Sequence, residues 1–150
     1  MSEVAILVGL PGAGKTSFYR ARLAGSHVHV SKDVIGHGKD AGRRQLELLT
    51  QALRERRSVA VDNTNPRAED RAPLIALARA GGARVVAYVL DTTPKESAAR
   101  NRARTGRERV PNVAVFVTAK RLQPPTAAEG FDAIYRVRAA GGGFEVIVET

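Results

Sequence analysis

Short apolar runs rich in β-branched residues alternate along the chain with stretches of helical periodicity. Leu46, Leu49 and Leu53 recur at helical spacing within Gln45–Arg56 and would form the buried face of an amphipathic helix. A further helix is predicted over Lys15–Ala24. Because strands that alternate with helices pair in parallel, this order predicts an α/β fold with helices over a mainly parallel sheet. The predicted strands are Val4–Val8, His27–Val30, Ser58–Val61, Arg84–Leu90 and Ile134–Val137.

Two more helices are predicted, and a proline restricts where each can begin. Pro73 cannot occupy the interior of an undisturbed helix, so the helix predicted within Arg67–Ala80 begins near residue 67 or near residue 72. Thr93, Pro94 and Glu96 occupy the N-cap, first and third positions of a helix start that closes a capping box. This second helix is expected to continue through the arginine-rich segment that follows it.

The length of the chain is typical of one domain. Its 150 residues fall within the ~100–200 residues usual for a domain, and no repeat or low-complexity tract interrupts them. Gly141–Gly143 separates two strand-like runs, Ile134–Val137 and Phe144–Val148, which favours a loose hairpin over a linker. We therefore expect residues 1–150 to form a single domain.

The composition narrows the classes of partner. A hydrophobic content of 43% excludes a disordered chain, and a net charge of +9 attracts phosphate-bearing partners. Nineteen of the 24 cations are arginine, which favours forked contacts to phosphate but also arises from a GC-rich coding sequence. The absence of cysteine indicates a reducing compartment, so a cytoplasmic location is expected. The apolar run after Glu3 is far shorter than the ~18 residues that span a bilayer, so no membrane contact is expected.

A glycine-rich segment, Gly9–Thr16, matches the phosphate-binding pattern G-x-x-x-x-G-K-[ST] between a predicted strand and a predicted helix. Its glycines let backbone N–H groups point into one concavity at a helix N-terminus, where an anion is stabilised. In this pattern Lys15 reaches the β- and γ-phosphates, and the Thr16 hydroxyl takes one position on Mg²⁺. The alternative without a bound ligand is a glycine-rich turn that matches the pattern by chance. A purine nucleoside triphosphate is the expected ligand, bound by Gly9, Pro11, Gly12, Ala13, Gly14, Lys15, Thr16 and Ser17.

Two carboxylates follow predicted strands, Asp33 after the second and Asp62 at the end of the third. In a parallel sheet both lie at the carboxyl edge, beside the phosphate-binding loop. Asp33 is the candidate base that accepts the proton of the attacking hydroxyl; its alternative is a helix cap or turn. Asp62 is predicted to hold Mg²⁺ through water, although Asn63 and Thr64 also permit a plain turn there.

An arginine-rich segment spans residues 100–109, with five arginines against one glutamate. The default interpretation of such a run is a solvated basic helix. However, Arg100 stands four residues before Arg104 and no acid stands four residues before either Arg102 or Arg104, so like charges repel unless an anion joins them. Lid arginines neutralise charge on a transferring phosphoryl group, so at least one of these residues is predicted to contact phosphate. The histidines show no metal spacing, and His27 and His29 alternate as half-buried strand residues do.

Taken in order, the motifs resemble the 5′-hydroxyl polynucleotide kinases, above all the kinase module of polynucleotide kinase/phosphatase repair enzymes. Many kinases share the P-loop, whereas the Asp-Asn-Thr-Asn-Pro of residues 62–66 and the Glu-Gly-Phe of residues 129–131 are more particular. The similar segments cover nearly the whole chain: Gly9–Thr16, Val28–Asp33, Val59–Pro66, Asn101–Arg104 and Pro125–Phe131.

The resemblance implies a P-loop NTPase-type three-layer fold with an arginine-rich helical lid over about residues 94–110. It implies transfer of the γ-phosphate of ATP to the 5′-OH of DNA or RNA in nucleic-acid repair, with Mg²⁺ bound. Asp33 matches the general base, and Lys15 matches the phosphate-binding lysine. Arg102 and Arg104 match catalytic lid arginines, and Arg102 also contacts the nucleotide. The residues expected to bind the acceptor are Lys32, Asp33, Asp62, Thr64 and Asn65. Lys32 replaces the arginine that is usual in the family, so a compact ammonium takes the place of a guanidinium that can form two parallel hydrogen bonds.

Other functions remain open at this point. A kinase of the same fold acting on a small metabolite or a tRNA-linked hydroxyl is one, and a nucleotide-dependent binding ATPase without an acceptor is another. For the favoured interpretation the partner is a nucleic acid with a 5′-OH end. The chain carries no phosphatase or ligase domain, so it is expected to work with separate proteins of those kinds or to need only the kinase step. A monomer and a homodimer are equally compatible with the sequence.

Overall fold

A computed structural model describes residues 2–32, 40–104 and 110–149 of the chain. The predicted strands are confirmed, some with longer bounds. The strands are β1 (Glu3–Val8), β2 (His27–Val30), β3 (Ser58–Asp62), β4 (Arg84–Leu90), β5 (Ala133–Ala140) and β6 (Gly143–Val148). The helices are α1 (Lys15–Phe18), which continues as a π-helical turn over Tyr19–Leu23, α2 (Ala41–Arg54), α3 (Ala68–Ala80), α4 (Pro94–Arg102) and α5 (Asn112–Arg121), followed by a short 3₁₀ turn over Ala127–Glu129.

The six strands form one sheet in the order β2-β3-β1-β4-β5-β6. All neighbours pair in parallel except β5 and β6, which form an antiparallel hairpin. The chain moves from β1 outward to β2, returns through β3, and then crosses β1 to β4, so the strand order reverses beside β1. Ligands bind at the carboxyl edge of such a reversal point.

Apolar side chains cover both faces of the sheet and create three layers, as expected. On one face, alternate residues of the central strands, such as Ile6, pack against Leu49 of α2 and Leu74 of α3. On the other face, Leu7 packs with Phe18 of α1, and this cluster also receives side chains from α4 and α5. Central strands that are buried on both faces contain continuous runs of apolar residues, as β1 does from Val4 to Val8.

Helix α3 resolves the alternative left open by its proline. The helix begins at Ala68, so Pro73 lies inside it, beyond the first turn. Pro73 removes the N–H that would bond the carbonyl of Glu69, and both residues are exposed. Water can therefore satisfy that carbonyl, which is why the helix tolerates the proline.

The C-terminal hairpin and α5 differ from expectation. Gly141 and Gly142 both adopt positive φ, and Ala140 pairs directly with Gly143, so the hairpin is tight rather than loose. Helix α5 was not predicted, because its β-branched residues are typical of strands. Helix α4 begins with the predicted capping box and ends at Arg102, whereas residues 105–109 of the expected lid lie outside the described part of the chain. No helix in the described ranges is long and apolar enough to cross a membrane.

Candidate active site

A cavity of about 800 Å³ opens at the carboxyl edge of the sheet. Its described walls come from the P-loop, the ends of β2 and β3, helices α2 and α3, and the segment that begins with α4. Of the residues that the structure describes, seven cations and three carboxylates line it, an excess of four positive charges. The charged lining residues are Lys15, Arg20, Lys32, Arg67, Arg100, Arg104, Arg121, Asp62, Glu69 and Asp70.

The P-loop leaves β1 at Gly9 and enters α1 at Lys15. Gly12 and Gly14 have φ of 82° and 98°, a left-handed conformation that side chains rarely adopt. A Cβ at Gly12 would also overlap the carbonyl oxygen of Ser97 in α4, so the loop packs directly on that helix. Among the residues predicted to bind nucleotide, Pro11, Gly12, Gly14, Lys15, Thr16 and Ser17 line the cavity, whereas Ala13 is buried in the apolar cluster beside α1.

The ammonium of Lys15 is nearly buried and is held by its own loop. Its Nζ donates to the carbonyl oxygens of Gly9 at 3.1 Å and Leu10 at 2.8 Å. The side chain lines the cavity and its charge also acts on Asp62. This places a fixed positive charge at the mouth of the P-loop, where a phosphate group would gain most from it.

Thr16 and Asp62 meet as the pattern predicts. The Thr16 hydroxyl donates to Asp62 Oδ2 at 2.6 Å, and His29 Nε2 lies 2.7 Å from the same oxygen. Burial of the Asp62 carboxyl raises its pKa, but these two hydrogen bonds and the charge of Lys15 outweigh burial, so the pKa lies below its usual range. Asp62 is therefore an ionised carboxylate at neutral pH. A hydroxyl and a carboxylate are hard oxygen donors of the kind that Mg²⁺ prefers, so these residues fit the ion.

The Asp-Asn-Thr-Asn-Pro loop is fixed against the start of the P-loop. The Gly9 N–H donates to the Thr64 carbonyl at 3.1 Å. Asn65 adopts a left-handed φ of 44°, and its buried amide donates to the Leu7 carbonyl at 2.8 Å. Thr64 and Asn65 both line the cavity, but the Asn65 side chain is committed to the backbone of β1. The loop and the P-loop consequently hold a common geometry.

A buried arginine connects this loop to the Glu-Gly-Phe segment. Arg71 in α3 is fully buried and donates from Nε and Nη2 to the two oxygens of Glu129, at 2.8 and 3.1 Å. Its Nη1 donates to the Asn65 carbonyl at 2.9 Å. The two sequence motifs most particular to the resemblance are thus joined by one guanidinium. No pattern in the sequence pointed to Arg71.

Asn63 links three elements on the β2 side of the cavity. Its Oδ1 accepts a hydrogen bond from the Lys32 backbone N–H at 2.9 Å, and its Nδ2 donates to Gln45 Oε1 of α2. Lys32 itself is exposed and lines the cavity. Asp33, the predicted base, lies outside the described residues.

The described arginines of the lid segment differ in where they lie. Arg100 and Arg104 both line the cavity, and Arg100 Nη1 donates to the P-loop carbonyl of Ala13 at 3.2 Å. Arg102 is exposed at the end of α4 and is not among the described cavity-lining residues. Between them, buried Asn101 exchanges hydrogen bonds with the backbone of Val110, which fixes the base of the segment. The signal for Arg100 in the sequence was its i, i+4 spacing from Arg104, with no acid four residues before Arg104.

A sheet of this order, whose first strand passes through a phosphate-binding loop into a helix, defines a P-loop kinase-like domain. Residues 4–125 match the model of the AAA domain family, and the chain belongs to that family.

Two relatives match most of this chain. Transcription factor bHLH140 of Arabidopsis thaliana is 34% identical over 144 residues, covering 87% of this chain and 15% of that protein. The bifunctional polynucleotide phosphatase/kinase of Schizosaccharomyces pombe is 25% identical over 139 residues, covering 90% of this chain and 33% of that protein. The chain thus spans a third or less of the length of these relatives.

Solved structures share the fold at low identity. Kti12 of Chaetomium thermophilum in complex with ADP-AlF3 gives a TM-score of 0.69 at 14% identity, covering 90% of this chain and 88% of that chain. A fungal RNA kinase gives a TM-score of 0.68 at 17% identity, covering 93% of this chain and 39% of that chain. A gluconokinase of Sinorhizobium meliloti 1021 gives a TM-score of 0.63 at 20% identity, covering 93% of this chain and 83% of that chain. These likenesses show a shared fold.

Proposed function

We propose that the chain is a polynucleotide 5′-hydroxyl kinase, which transfers the γ-phosphate of ATP to the 5′-OH of DNA or RNA. The observation that carries the proposal is the excess of four positive charges among the described residues that line the cavity. Lys32 after β2, Arg67 before α3 and Arg121 at the end of α5 contribute three cations from outside the P-loop, α1 and α4. Glu69 and Asp70 of α3 line the same walls, and Arg67 pairs with Glu69 at 2.8 Å, so these walls keep an excess of one positive charge. A polyanionic acceptor suits such walls better than a neutral small hydroxyl compound does.

The donor side of the cavity binds the triphosphate. The backbone of the P-loop and Lys15 hold the β- and γ-phosphates. Thr16 and, through water, Asp62 hold Mg²⁺, which when bound neutralises charge on those phosphates. Arg104 and Arg102 of the lid segment, about residues 94–110, neutralise the charge that develops on the transferring group, and Arg102 also contacts the nucleotide.

The acceptor side activates the 5′-OH. Asp33 takes the proton of the hydroxyl as its oxygen attacks the γ-phosphorus, and the bond from that phosphorus to the β–γ bridging oxygen breaks to release ADP. The Asn63 hydrogen bond to Lys32 supports this role, since it anchors the residue directly before Asp33. Lys32, Thr64 and Asn65 contribute to binding of the acceptor strand.

The comparisons are compatible with a polynucleotide acceptor, but they include kinases of other acceptors as well. The S. pombe relative is a polynucleotide phosphatase/kinase and one neighbour in fold is an RNA kinase, but another is a gluconokinase. We further propose that residues 1–150 form one kinase domain. A phosphatase or ligase activity, on the same protein or on another, would prepare or seal the ends in nucleic-acid repair.

A transfer assay across acceptors tests the function. The protein is incubated with γ-labelled ATP, Mg²⁺ and, in parallel, 5′-OH DNA, 5′-OH RNA and small hydroxyl compounds at one low salt concentration. Label is expected on the oligonucleotides and is expected to disappear in Lys15→Ala and Asp33→Asn, while Asp91→Asn, an exposed carboxylate that is not among the described cavity-lining residues, retains it. Label on small hydroxyls alone would identify a small-molecule kinase, and nucleotide binding without transfer would identify a binding ATPase.

A further inference from the structure

A histidine that the phosphate-binding pattern does not include lies beside the carboxylate of Asp62. His29 Nε2 is 2.7 Å from Asp62 Oδ2, and the Thr16 hydroxyl donates to the same oxygen at 2.6 Å. An ionised carboxylate only accepts hydrogen bonds, so Nε2 carries the proton of this bond. No donor among the described residues hydrogen-bonds the second oxygen, Oδ1.

The imidazole of His29 is held by its surroundings. Its ring stacks on the ring of Tyr19, with centroids 4.2 Å apart and planes 19° apart. Tyr19 is buried, and its hydroxyl donates to the His27 carbonyl at 2.6 Å. His29 stands opposite Ala60 in the parallel pairing of β2 with β3, two residues before Asp62, so both side chains emerge on one face of the sheet.

Two donors on one oxygen fix the rotation of a carboxylate about its Cβ–Cγ bond. With Oδ2 committed to Thr16 and His29, Oδ1 is the oxygen left for a ligand in the cavity that Asp62 lines. A threonine hydroxyl has two lone pairs besides its proton, so Thr16 can bind a cation and still donate to Asp62. Of the two donors to Asp62 in the described part of the chain, Thr16 belongs to the P-loop and His29 does not.

We infer that His29 is a positioning residue, which orients the Asp62 carboxylate so that Oδ1 faces the magnesium and phosphate side of the cavity. The inference rests on the nucleotide and Mg²⁺ sites of the proposed function, and on no particular acceptor. Partners that orient metal-associated groups change metal affinity by about 10–100-fold when they are removed. Because Asp62 is assigned to Mg²⁺ through water, an effect near 10-fold is expected.

Binding of ADP at increasing Mg²⁺ concentration tests the inference without using turnover. His29→Leu removes the donor and is expected to raise the Mg²⁺ concentration that half-saturates the Mg²⁺-dependent gain in ADP affinity by about 10-fold, with ADP affinity in EDTA unchanged. His29→Gln restores an N–H donor and is expected to remain within about 3-fold of the unmodified protein. If His29→Leu does not fold, His29→Ser serves instead, because a serine hydroxyl is too short to reach Oδ2.

His27→Leu is the matched control. His27 lies two residues away on the same strand and pairs with Glu3 at 2.9 Å rather than with Asp62. An unchanged Mg²⁺ requirement in His29→Leu, an equal loss of ADP affinity with and without Mg²⁺, or the same shift in His27→Leu would overturn the inference. If the unmodified protein shows no Mg²⁺-dependent ADP binding, the proposed function and the inference both fail. If it binds Mg²⁺ and ADP but phosphorylates no 5′-OH, only the proposed kinase reaction fails.

Discussion

Replacing Glu129 with leucine is expected to expose how the Asp-Asn-Thr-Asn-Pro loop is held. The substitution removes both oxygens that accept from the Arg71 guanidinium, at 2.8 and 3.1 Å. Arg71 has no exposed surface and the Glu129 side chain is 13% exposed, so water does not replace the lost partner at the guanidinium. The positive charge then remains buried, and among the described residues the Asn65 carbonyl, 2.9 Å from Nη1, is its remaining hydrogen-bond partner.

The expected cost follows from that burial. Removing one partner of a buried ion pair costs about 3–5 kcal/mol, and for a chain of this size 1 kcal/mol corresponds to roughly 2–4 °C in melting temperature. We therefore expect the melting temperature of Glu129→Leu to fall by roughly 10 °C at pH 7. Phosphate transfer should also slow at a temperature where the variant is folded, since Arg71 no longer holds Asn65 from a fixed position.

The dependence of this cost on pH has a definite sign. Burial raises the pKa of Glu129, but the hydrogen bonds and charge of Arg71 and the Thr126 N–H lower it further, so the folded-state pKa lies below the usual range. Stability from a carboxyl with a lowered pKa is present above its unfolded pKa of about 4.3 and is lost as pH falls through the folded value. The difference in unfolding free energy between the unmodified protein and Glu129→Leu should thus be constant from about pH 6 to pH 8 and shrink below about pH 4.

Urea unfolding at several pH values measures these quantities, and two further variants complete the test. Glu47→Leu breaks an exposed contact of 3.8 Å to Arg43 and should change stability by less than about 1 kcal/mol. Arg71→Met combined with Glu129→Leu should regain most of the lost stability, because an apolar pair replaces the ion pair. A cost below about 1 kcal/mol for Glu129→Leu at pH 7, or a difference that grows in acid, would refute the reasoning.

Three other predictions concern the site itself. Gly12→Ala should weaken ADP binding strongly and destabilise the protein, because its Cβ overlaps the Ser97 carbonyl; wild-type affinity in a calorimetric titration would contradict this. Asn63→Ala should lower kcat with little change in the KM for ATP, because the backbone N–H of Lys32 loses the side-chain oxygen that holds it. A change in ATP affinity alone would argue against that role. Arg104→Ala should slow single-turnover transfer by about 10²-fold or more, and by more than Arg102→Ala does, because Arg104 lines the cavity while Arg102 is exposed. An equal or larger loss in Arg102→Ala would contradict this ranking, and an unchanged rate in both variants would place neither residue on the phosphate.

The sequence predicted the layers of the fold because its strands and helices carry strong periodic signals. β1 contains apolar residues on both faces, and the leucines of α2 form one stripe. The helix predicted within Gln45–Arg56 begins earlier in the structure, at Ala41, because its first turn comes before the apolar stripe that marked the helix in the sequence. Helix α5 was missed because Val113, Val115 and Val117 alternate as in a strand, whereas packing of Val115 against the α1 side of the sheet decides the structure.

Within the site, residues fixed by local pattern were predictable, and residues fixed by strand pairing were not. Thr16 was predicted from the P-loop pattern and Asp62 from its place at the end of a strand, and their side chains lie 2.6 Å apart, while their roles toward Mg²⁺ stay predictions. His29 was interpreted as an ordinary half-buried residue, since its contact with Asp62 depends on the register between β2 and β3. Arg71 gives no sequence signal at all, because a buried arginine in a helix resembles an exposed one until its partner is known.

The most direct test of the central claim is to identify the atom that receives phosphate. A 5′-OH oligonucleotide and a small polyol are mixed in one reaction with γ-labelled ATP and Mg²⁺, and the oligonucleotide product is digested to mononucleotides. The account predicts label on the 5′ oxygen of the terminal nucleotide, with transfer that weakens steeply as salt is raised. Label on the polyol with none on the oligonucleotide, or release of inorganic phosphate alone, would contradict it.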